Sequence, residues 1–181
     1  MSYTTPTTRA TGNTISAANW NTDNVDNIKW LAGDSGGKPN ARVYNSANLA
    51  ITTGTWTTLT FDSEQYDVGG LHSTSSNTSR FTIPSGGAGK YTLKGCCEFA
   101  ANSTGARAIR ILLGGATTLW QDSRPTVPSA SGTTVMNIAC DYAVAVGDYV
   151  ELQVFQDSGG NLNALATANY SPYFSAMWLA L

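Results

Sequence analysis

The chain has 181 residues, enough for one domain with a short extension, and its formal net charge is -2. Only 12% of the residues are charged, and the lysines and arginines are scattered, so no phosphate-binding surface for nucleic acid is expected. No run approaches the roughly 18 apolar residues of a membrane span, and the first residues lack the charged-then-apolar pattern of a secretion signal, so we expect neither membrane insertion nor export.

Residues 1–33 are expected to form an extended arm followed by a helix. Ser16 is placed to cap a helix over residues 14–31, in which apolar and small residues recur at three- and four-residue steps. Trp20 and Trp30 flank that face. The helix is too short and too polar to be stable alone, so it needs a partner, either further copies of itself or a docking surface. The predicted face consists of Ala18, Asn21, Val25, Ile28 and Ala32.

Residues 34–40 have the composition of a linker. The run GDSGG at residues 33–37 coincides with the nucleophile motif of trypsin-like proteases and with the G-x-S-x-G elbow. In a trypsin-like enzyme the histidine precedes the serine, whereas the only histidine here, His72, follows it. A G-x-S-x-G elbow also needs a strand before it and a helix after it, whereas here a predicted helix precedes the run. Ser35 is therefore kept only as the nucleophile of an alternative hydrolase hypothesis, and we predict no catalytic residue.

From residue 41 to residue 181 the hydrophobic pattern has a period of two, which predicts one all-β domain. The clearest strand follows the turn at Gly147, with Val150, Leu152 and Val154 on one face. Strands at this spacing, with no helix between them, indicate an antiparallel sandwich or jelly roll. The other predicted strands are residues 41–46, 55–61, 80–83, 90–101, 108–113, 117–121, 133–144, 162–168 and 173–181.

Three cysteines are present, and two of them, Cys96 and Cys97, are neighbours on a predicted strand. Their side chains therefore face opposite ways, and no CxxC pair exists. With Cys140, they are predicted to be buried or half-buried free thiols of a chain that folds in a reducing cytosol, with no bound metal or cofactor.

The last predicted strand is apolar on both faces, although the outward face of an antiparallel sheet is usually polar. One interpretation is a central strand covered by a loop. The interpretation that we favour is a subunit interface, in which one face meets the core and the other meets neighbouring chains. The predicted interface residues are Phe155, Phe174, Ala176, Met177, Trp178, Leu179 and Leu181.

Three loop features are weaker candidates for a site. Asp62, Glu64 and Asp67 follow a strand, where they either hold calcium or are simply solvated. His72 is predicted to be a solvated loop residue. Trp120 and Asp122, with the loop at residues 123–131, are either an aromatic platform for a glycan or a half-buried tryptophan beside a loop.

Several segments between residues 41 and 181 resemble the C1q-like domain. The runs WTTLTFD at residues 56–62 and GKYTL at residues 89–93, with Phe81 between them, resemble the first half of its signature. GDYVEL at residues 147–152 and YSPYFS at residues 170–175 resemble its late turn and closing strand. The resemblance implies a ten-stranded jelly roll of the C1q and tumour-necrosis-factor type, assembled as a homotrimer around an apolar axis.

Two features depart from the C1q-like pattern. Leu93 stands where that family has an aromatic residue, and no collagen-like repeat precedes the domain. Instead, residues 11–21 and 25–31 resemble the start of many tailed-phage structural proteins, in which a short helix fixes the protein to the virion. The residues implied as the virion anchor are Ile15, Trp20, Val25, Ile28 and Leu31.

The resulting hypothesis is a non-enzymatic, trimeric phage protein on the virion surface, made in the host cytoplasm. Its N-terminus would bind a major capsid or tail protein, and its head would project outward as a spike, fibre or decoration and contact a host glycan. The alternative is a free bacterial adhesin or lectin with a C1q-like head. The two hypotheses differ in whether the protein is found on particles.

Overall fold

The computed structural model describes residues 4–32, 37–125, 132–168 and 170–181. Its N-terminal helical segment is continuous but not uniform: helix α1 (Ala17–Trp20) runs through a π-helical stretch (Asn21–Asp26) into helix α2 (Asn27–Ala32). Ser16 caps it as predicted, because its Oγ accepts a hydrogen bond from the Asn19 N–H at 3.2 Å. In the described part of the chain, no helix combines the length and the apolar character needed to cross a membrane.

Twelve strands in the described residues form two antiparallel sheets packed face to face. The seven-stranded sheet has the order β2-β11-β6-β12-β1-β4, with β9 on the other side of β6. The five-stranded sheet has the order β3-β10-β7-β8, with β5 also beside β10. The strands are β1 (Asn40–Tyr44), β2 (Leu49–Ile51), β3 (Thr57–Thr58), β4 (Ser63–Val68), β5 (Arg80–Thr82), β6 (Gly89–Phe99), β7 (Ala106–Leu113), β8 (Thr117–Pro125), β9 (Thr134–Val144), β10 (Tyr149–Gln156), β11 (Leu162–Ala164) and β12 (Tyr173–Ala180).

The core lies between the sheets and is built by the predicted alternation. Val150, Leu152 and Val154 of β10 are fully buried, as the period of two predicts. Opposite them, Gly95 of β6 lies so close that a Cβ there would be 2.7 Å from the methyl groups of Leu152. A glycine at this point therefore lets the two sheets approach each other. The all-β jelly-roll prediction is confirmed.

Two strands were not predicted, namely β2 and β4. Both are short or polar strands at the ends of the seven-stranded sheet, so they carry no apolar alternation. Conversely, the predicted strand at residues 55–61 pairs only over Thr57–Thr58, although Leu59 and Phe61 beyond it are buried.

The buried face of the N-terminal helix differs from the predicted one. Trp30, 3% exposed, lies edge-on against Trp178 of β12, with ring centroids 5.1 Å apart, and belongs to the core. Asn27 is also buried and exchanges two hydrogen bonds with the backbone of Thr4, which holds the arm along the helix. The π-helical stretch changes the angular spacing of the residues, so the predicted stripe does not form one buried face. Of that stripe, Ala18, Asn21, Ile28 and Ala32 are exposed and Val25 is half-buried.

The interface prediction for the last strand needs correction. Strand β12 is central, between β6 and β1. Its residues Phe174, Ala176 and Trp178 are buried between the sheets of one chain, so they pack in the core and are not available to a neighbouring copy.

Candidate functional site

The strongest candidate site is the outward face of the seven-stranded sheet, which we call the sheet face and define as Arg42, Tyr44, Tyr66, Tyr173 and Met177. The register places Tyr44 opposite Tyr173 and Arg42 opposite Tyr66, so these side chains share one side. The Arg42 guanidinium lies 4.0 Å from the centre of the Tyr173 ring. Met177 is 53% exposed and helps to line a depression of about 310 Å³. Exposed tyrosine and methionine side chains grouped on the outer side of a sheet are typical of a contact surface.

Glu98 is a buried carboxylate at one end of this face. Its Oε2 accepts hydrogen bonds from the Thr167 and Tyr170 hydroxyls, both at 2.7 Å. Burial raises the pKa of Glu98, but the hydroxyls of Thr133, Tyr170 and Thr167 lower it more, so the net pKa lies below the usual value. Glu98 thereby fixes the segment that precedes β12.

A second candidate surface lies on the edge strands β8 and β9, which are in contact on one side of the sandwich. Trp120 of β8 is 58% exposed, and Tyr142 of β9 is also exposed. In the register, Trp120 pairs with Ile111 and Tyr142 pairs with Tyr91, and both of these partners point into the sandwich. Trp120 and Tyr142 therefore lie on the side of their strands that is directed towards the opposite sheet. We call Trp120 and Tyr142 the edge surface.

The predicted glycan residues are neighbours on this edge. Asp122 lies on the same side of β8 as Trp120, and its Oδ2 accepts a hydrogen bond from Arg124 Nε at 3.0 Å. The neighbouring loop falls partly outside the described residues, since residues 126–131 are not described. Ser35 of the alternative hydrolase hypothesis is also outside them.

The predicted anchor residues are mostly at the surface: Ile15, Trp20, Ile28 and Leu31 are exposed. In the structure the N-terminal helix lies beside the end of β12, which the sequence pattern does not predict. Leu31 shares a depression of about 300 Å³ with the C-terminal Leu179 and Leu181, both exposed. A residue predicted for the virion anchor, Leu31, therefore lies beside two residues predicted for the trimer interface, Leu179 and Leu181.

Phe155, also predicted for the interface, lies elsewhere. It is on the outward face of the five-stranded sheet, where its ring packs 5.5 Å from that of Trp56. The Arg110 guanidinium covers Trp56 at 4.0 Å. Phe155 is thus separated from the sheet face by the full thickness of the sandwich.

The acidic residues after β3 are engaged by separate protein donors. Asp62 accepts hydrogen bonds from Ser46 and Ser63; burial raises its pKa, but these bonds lower it more. Asp67 accepts the backbone N–H groups at residues 71 and 72. Within the described ranges, no group of three or more histidine, cysteine, aspartate or glutamate side chains is placed to hold a metal ion.

His72 is not a solvated residue. Its side chain is 0% exposed, its Nδ1 lies 2.9 Å from Glu64 Oε1, and its ring packs edge-on against Phe61 and Phe81. The local sequence is polar and glycine-rich, so only the tertiary fold reveals that this loop folds back onto the sandwich.

The three cysteines are free, and Cys96 and Cys97 are buried on opposite faces of β6. Burial raises the pKa of Cys96 to about 11, and it also raises the pKa of Cys97. Burial, with Asp141 nearby, raises the pKa of Cys140. These thiols are suited to packing, not to nucleophilic chemistry.

The fold is similar to those of several solved structures. The globular domain of zebrafish complement 1qA protein matches with a TM-score of 0.56 and 15% identity, covering 78% of this chain and 98% of that chain. Eiger TNF from S. frugiperda matches with a TM-score of 0.56 and 15% identity, covering 78% and 92%. Murine APRIL matches with a TM-score of 0.58 and 12% identity, covering 78% and 98%. No family model and no curated protein matches the chain. The likeness shows a C1q/TNF-like jelly-roll fold.

Proposed function

We propose that this protein is a non-enzymatic structural protein whose jelly-roll head assembles as a homotrimer and whose N-terminal segment fixes it to a phage virion. The observation that carries the proposal is the sheet face, which is rich in tyrosine and on which Tyr44, Tyr66 and Met177 are exposed. The likeness to C1q and TNF folds supports it, because the sequence resemblance to that group implies a threefold assembly.

In the assembly that we propose, the sheet face of one copy receives the edge surface of the next. The two surfaces lie on different parts of the chain, so the contact is heterologous and closes into a ring when the rotation is a third of a turn. Trp120 and Tyr142 are large aromatic residues of the kind that anchors interfaces. The sheet face offers them tyrosine rings, the Met177 thioether and the Arg42 guanidinium.

The trimer is tested by sedimentation and light scattering of the full chain. The expected mass is three times the 19.0 kDa of one chain. Met177→Asp places a carboxylate where the proposed contact buries the Met177 side chain and should give monomers, because burying a charge is costly. Val146→Asp is the matched control, since Val146 is equally exposed but lies at a turn outside both surfaces, and it should remain trimeric. A wild-type monomer at micromolar concentration would overturn the trimer.

Virion attachment is tested separately. The exposed Trp20 and Ile28 are the residues to replace, because removing the whole of residues 1–33 would also remove the core residue Trp30. A Trp20→Ser, Ile28→Asp double variant should stay trimeric and be lost from purified particles. If the double variant still copurifies with particles as the wild type does, the N-terminal segment is not the anchor.

The second candidate function is a glycan-binding adhesin, favoured by the exposure of Trp120 beside Asp122. Trp120→Ala separates the two roles. Loss of binding on a glycan array with an intact trimer supports the adhesin, whereas dissociation of the trimer places Trp120 in the interface.

A further inference from the structure

We propose that His72 and Glu64 form a proton-dependent latch, which holds the loop at residues 69–79 against strand β4 when the pair carries one extra proton. The loop has no role in the proposed assembly. Its closed form depends on a histidine whose ring is completely shielded from solvent. The inference is independent of the proposed function.

The hydrogen-bond partners of the ring determine its proton count. Nδ1 lies 2.9 Å from Glu64 Oε1, and Nε2 lies 3.1 Å from the backbone oxygen of Thr78. A carboxylate and a carbonyl are both acceptors, whereas a neutral imidazole has a single N–H. Both contacts are satisfied only if the ring carries two N–H groups, or if the proton between Nδ1 and Oε1 resides on Glu64. In either case the closed pair holds one proton more than a neutral ring and a carboxylate.

The backbone around the ring holds it in this position. The two oxygens of Asp67 accept the backbone N–H groups of Leu71 and His72, at 3.0 and 2.9 Å. The oxygen of Thr78 also accepts the N–H of Phe61, at 2.9 Å, which joins the far end of the loop to the core. These bonds fix the backbone that carries the ring and the carbonyl that the ring contacts.

A bulge in β4 makes the arrangement possible. Arg42 pairs with Tyr66 and Val43 pairs with Glu64, so Gln65 is the extra residue. Glu64 and Asp67 consequently lie on the same side of β4, although they are three residues apart in the chain. Glu64 contacts the His72 ring, and Asp67 accepts hydrogen bonds from the backbone of the same loop.

The other charged groups around the ring are few. From β5, Arg80 lines the same small cavity as His72, but its guanidinium stacks on Tyr149 at 4.4 Å. From β10, Glu151 pairs with Arg80 in the register and accepts a hydrogen bond from Ser79. Phe61 and Phe81 supply apolar surface. Asp67 is bonded to the backbone N–H of His72, and Glu64 is the anion whose carboxylate contacts the ring itself.

Loss of the proton removes one of the two ring contacts. A neutral ring has one N–H, so it keeps its hydrogen bond to either Glu64 or the Thr78 carbonyl. The lone pair of its other nitrogen then faces the oxygen atom of the second residue. Because both ring contacts need the extra proton, the loop should be held more firmly in mild acid than in mild base.

The test uses the full ¹⁵N-labelled chain, in which His72 is the sole histidine and its ring signals need no assignment. At about pH 5.5 we expect ring nitrogen shifts of an imidazolium or of a strongly shared proton, changing to a single N–H form by about pH 8. Over the same range the hydrogen-exchange protection factors of the Leu71 and His72 amides should fall about tenfold, the effect of losing one charge-assisted hydrogen bond.

Glu64→Gln is the informative variant, because part of the Glu64 side chain is in solvent and the substitution preserves its shape. The ring should release its second proton at lower pH in this variant, and the amides should already exchange faster at pH 5.5. Asp26→Asn removes the same charge from the N-terminal segment and should behave as the wild type. A single N–H form with unchanged loop protection from pH 5.5 to 8, or equal effects of the two variants, would overturn the latch.

Discussion

Glu98 is a carboxylate whose ionised form the fold stabilises. Its pKa is lowered because hydroxyl hydrogen bonds outweigh the effect of burial. A carboxylate with a depressed pKa in the folded state contributes stability above its ordinary pKa and loses that contribution as the pH falls through the folded value. Acid should therefore loosen the segment that carries Thr167 and Tyr170.

We expect Glu98→Gln to lower the free energy of unfolding by about 1–3 kcal/mol at pH 7, because an amide accepts these hydrogen bonds less strongly. The difference from the wild type should shrink as the pH falls below the ordinary pKa of a glutamate and vanish once Glu98 is protonated in the folded state as well. Urea unfolding at a series of pH values measures it. Glu151→Gln, which loses a single hydrogen bond from Ser79, is the control. A difference that does not change with pH would contradict the ionised state of Glu98.

At this scale, the sequence predicts the residues that follow an alternation and misses those defined by distant partners. Val150, Leu152 and Val154 are buried because neighbouring residues dictate the faces of a strand. His72 depends on Glu64 across a bulge, and Glu98 depends on the hydroxyls of Thr133, Thr167 and Tyr170, which are distant in the sequence. Neither partnership has a signal in a short window of sequence.

Among the elements, the N-terminal helix is the one whose packing is decided by a single side chain. Trp30 is the helical residue of the core cluster, and Trp178 is its partner on β12. We expect Trp30→Ala to lower the free energy of unfolding by about 3 kcal/mol, the usual cost of removing a buried aromatic side chain.

Hydrogen exchange should show which part of the protein is destabilised in Trp30→Ala. Amides of residues 17–32 should lose protection first in Trp30→Ala, while those of β10 keep it. Trp20→Ala, at an exposed position of the same helix, should change neither quantity. Equal effects of the two substitutions would show that the helix is not docked through Trp30.

The helix also shows why a correct element can have an incorrectly predicted face. Its cap at Ser16 is local and was predictable, whereas the π-helical stretch at Asn21–Asp26 shifts every later residue around the axis. Similarly, edge strands such as β4 have no apolar alternation, because their polar side chains pair with loops and solvent. Strand β4 was missed for this reason and β2 because it has only three residues, whereas the longer edge strands β8 and β9 were predicted.

For the whole molecule, the sandwich follows from the sequence pattern, but its outer surfaces do not. An alternation states which residues face inward in one chain; it does not say whether the opposite face meets solvent or a second chain. In β12 both faces are apolar, and the structure assigns Phe174 to the core and leaves Met177 exposed. Part of the set predicted for an interface is therefore core, and Met177, Leu179 and Leu181 are the residues of β12 and its end that stay exposed.

The proposed trimer makes the thermal stability of the head depend on its concentration. If three folded chains dissociate and unfold together, mass action raises Tm with chain concentration. For chains of this size we expect an increase of about 5 °C between about 1 and 100 μM. Differential scanning fluorimetry and calorimetry measure it. Met177→Asp should have a lower Tm that does not vary with concentration, while Val146→Asp should follow the wild type. A wild-type Tm that is constant over this range would mean that the sheet face contributes nothing to folding, and the exposed tyrosines would then need another partner.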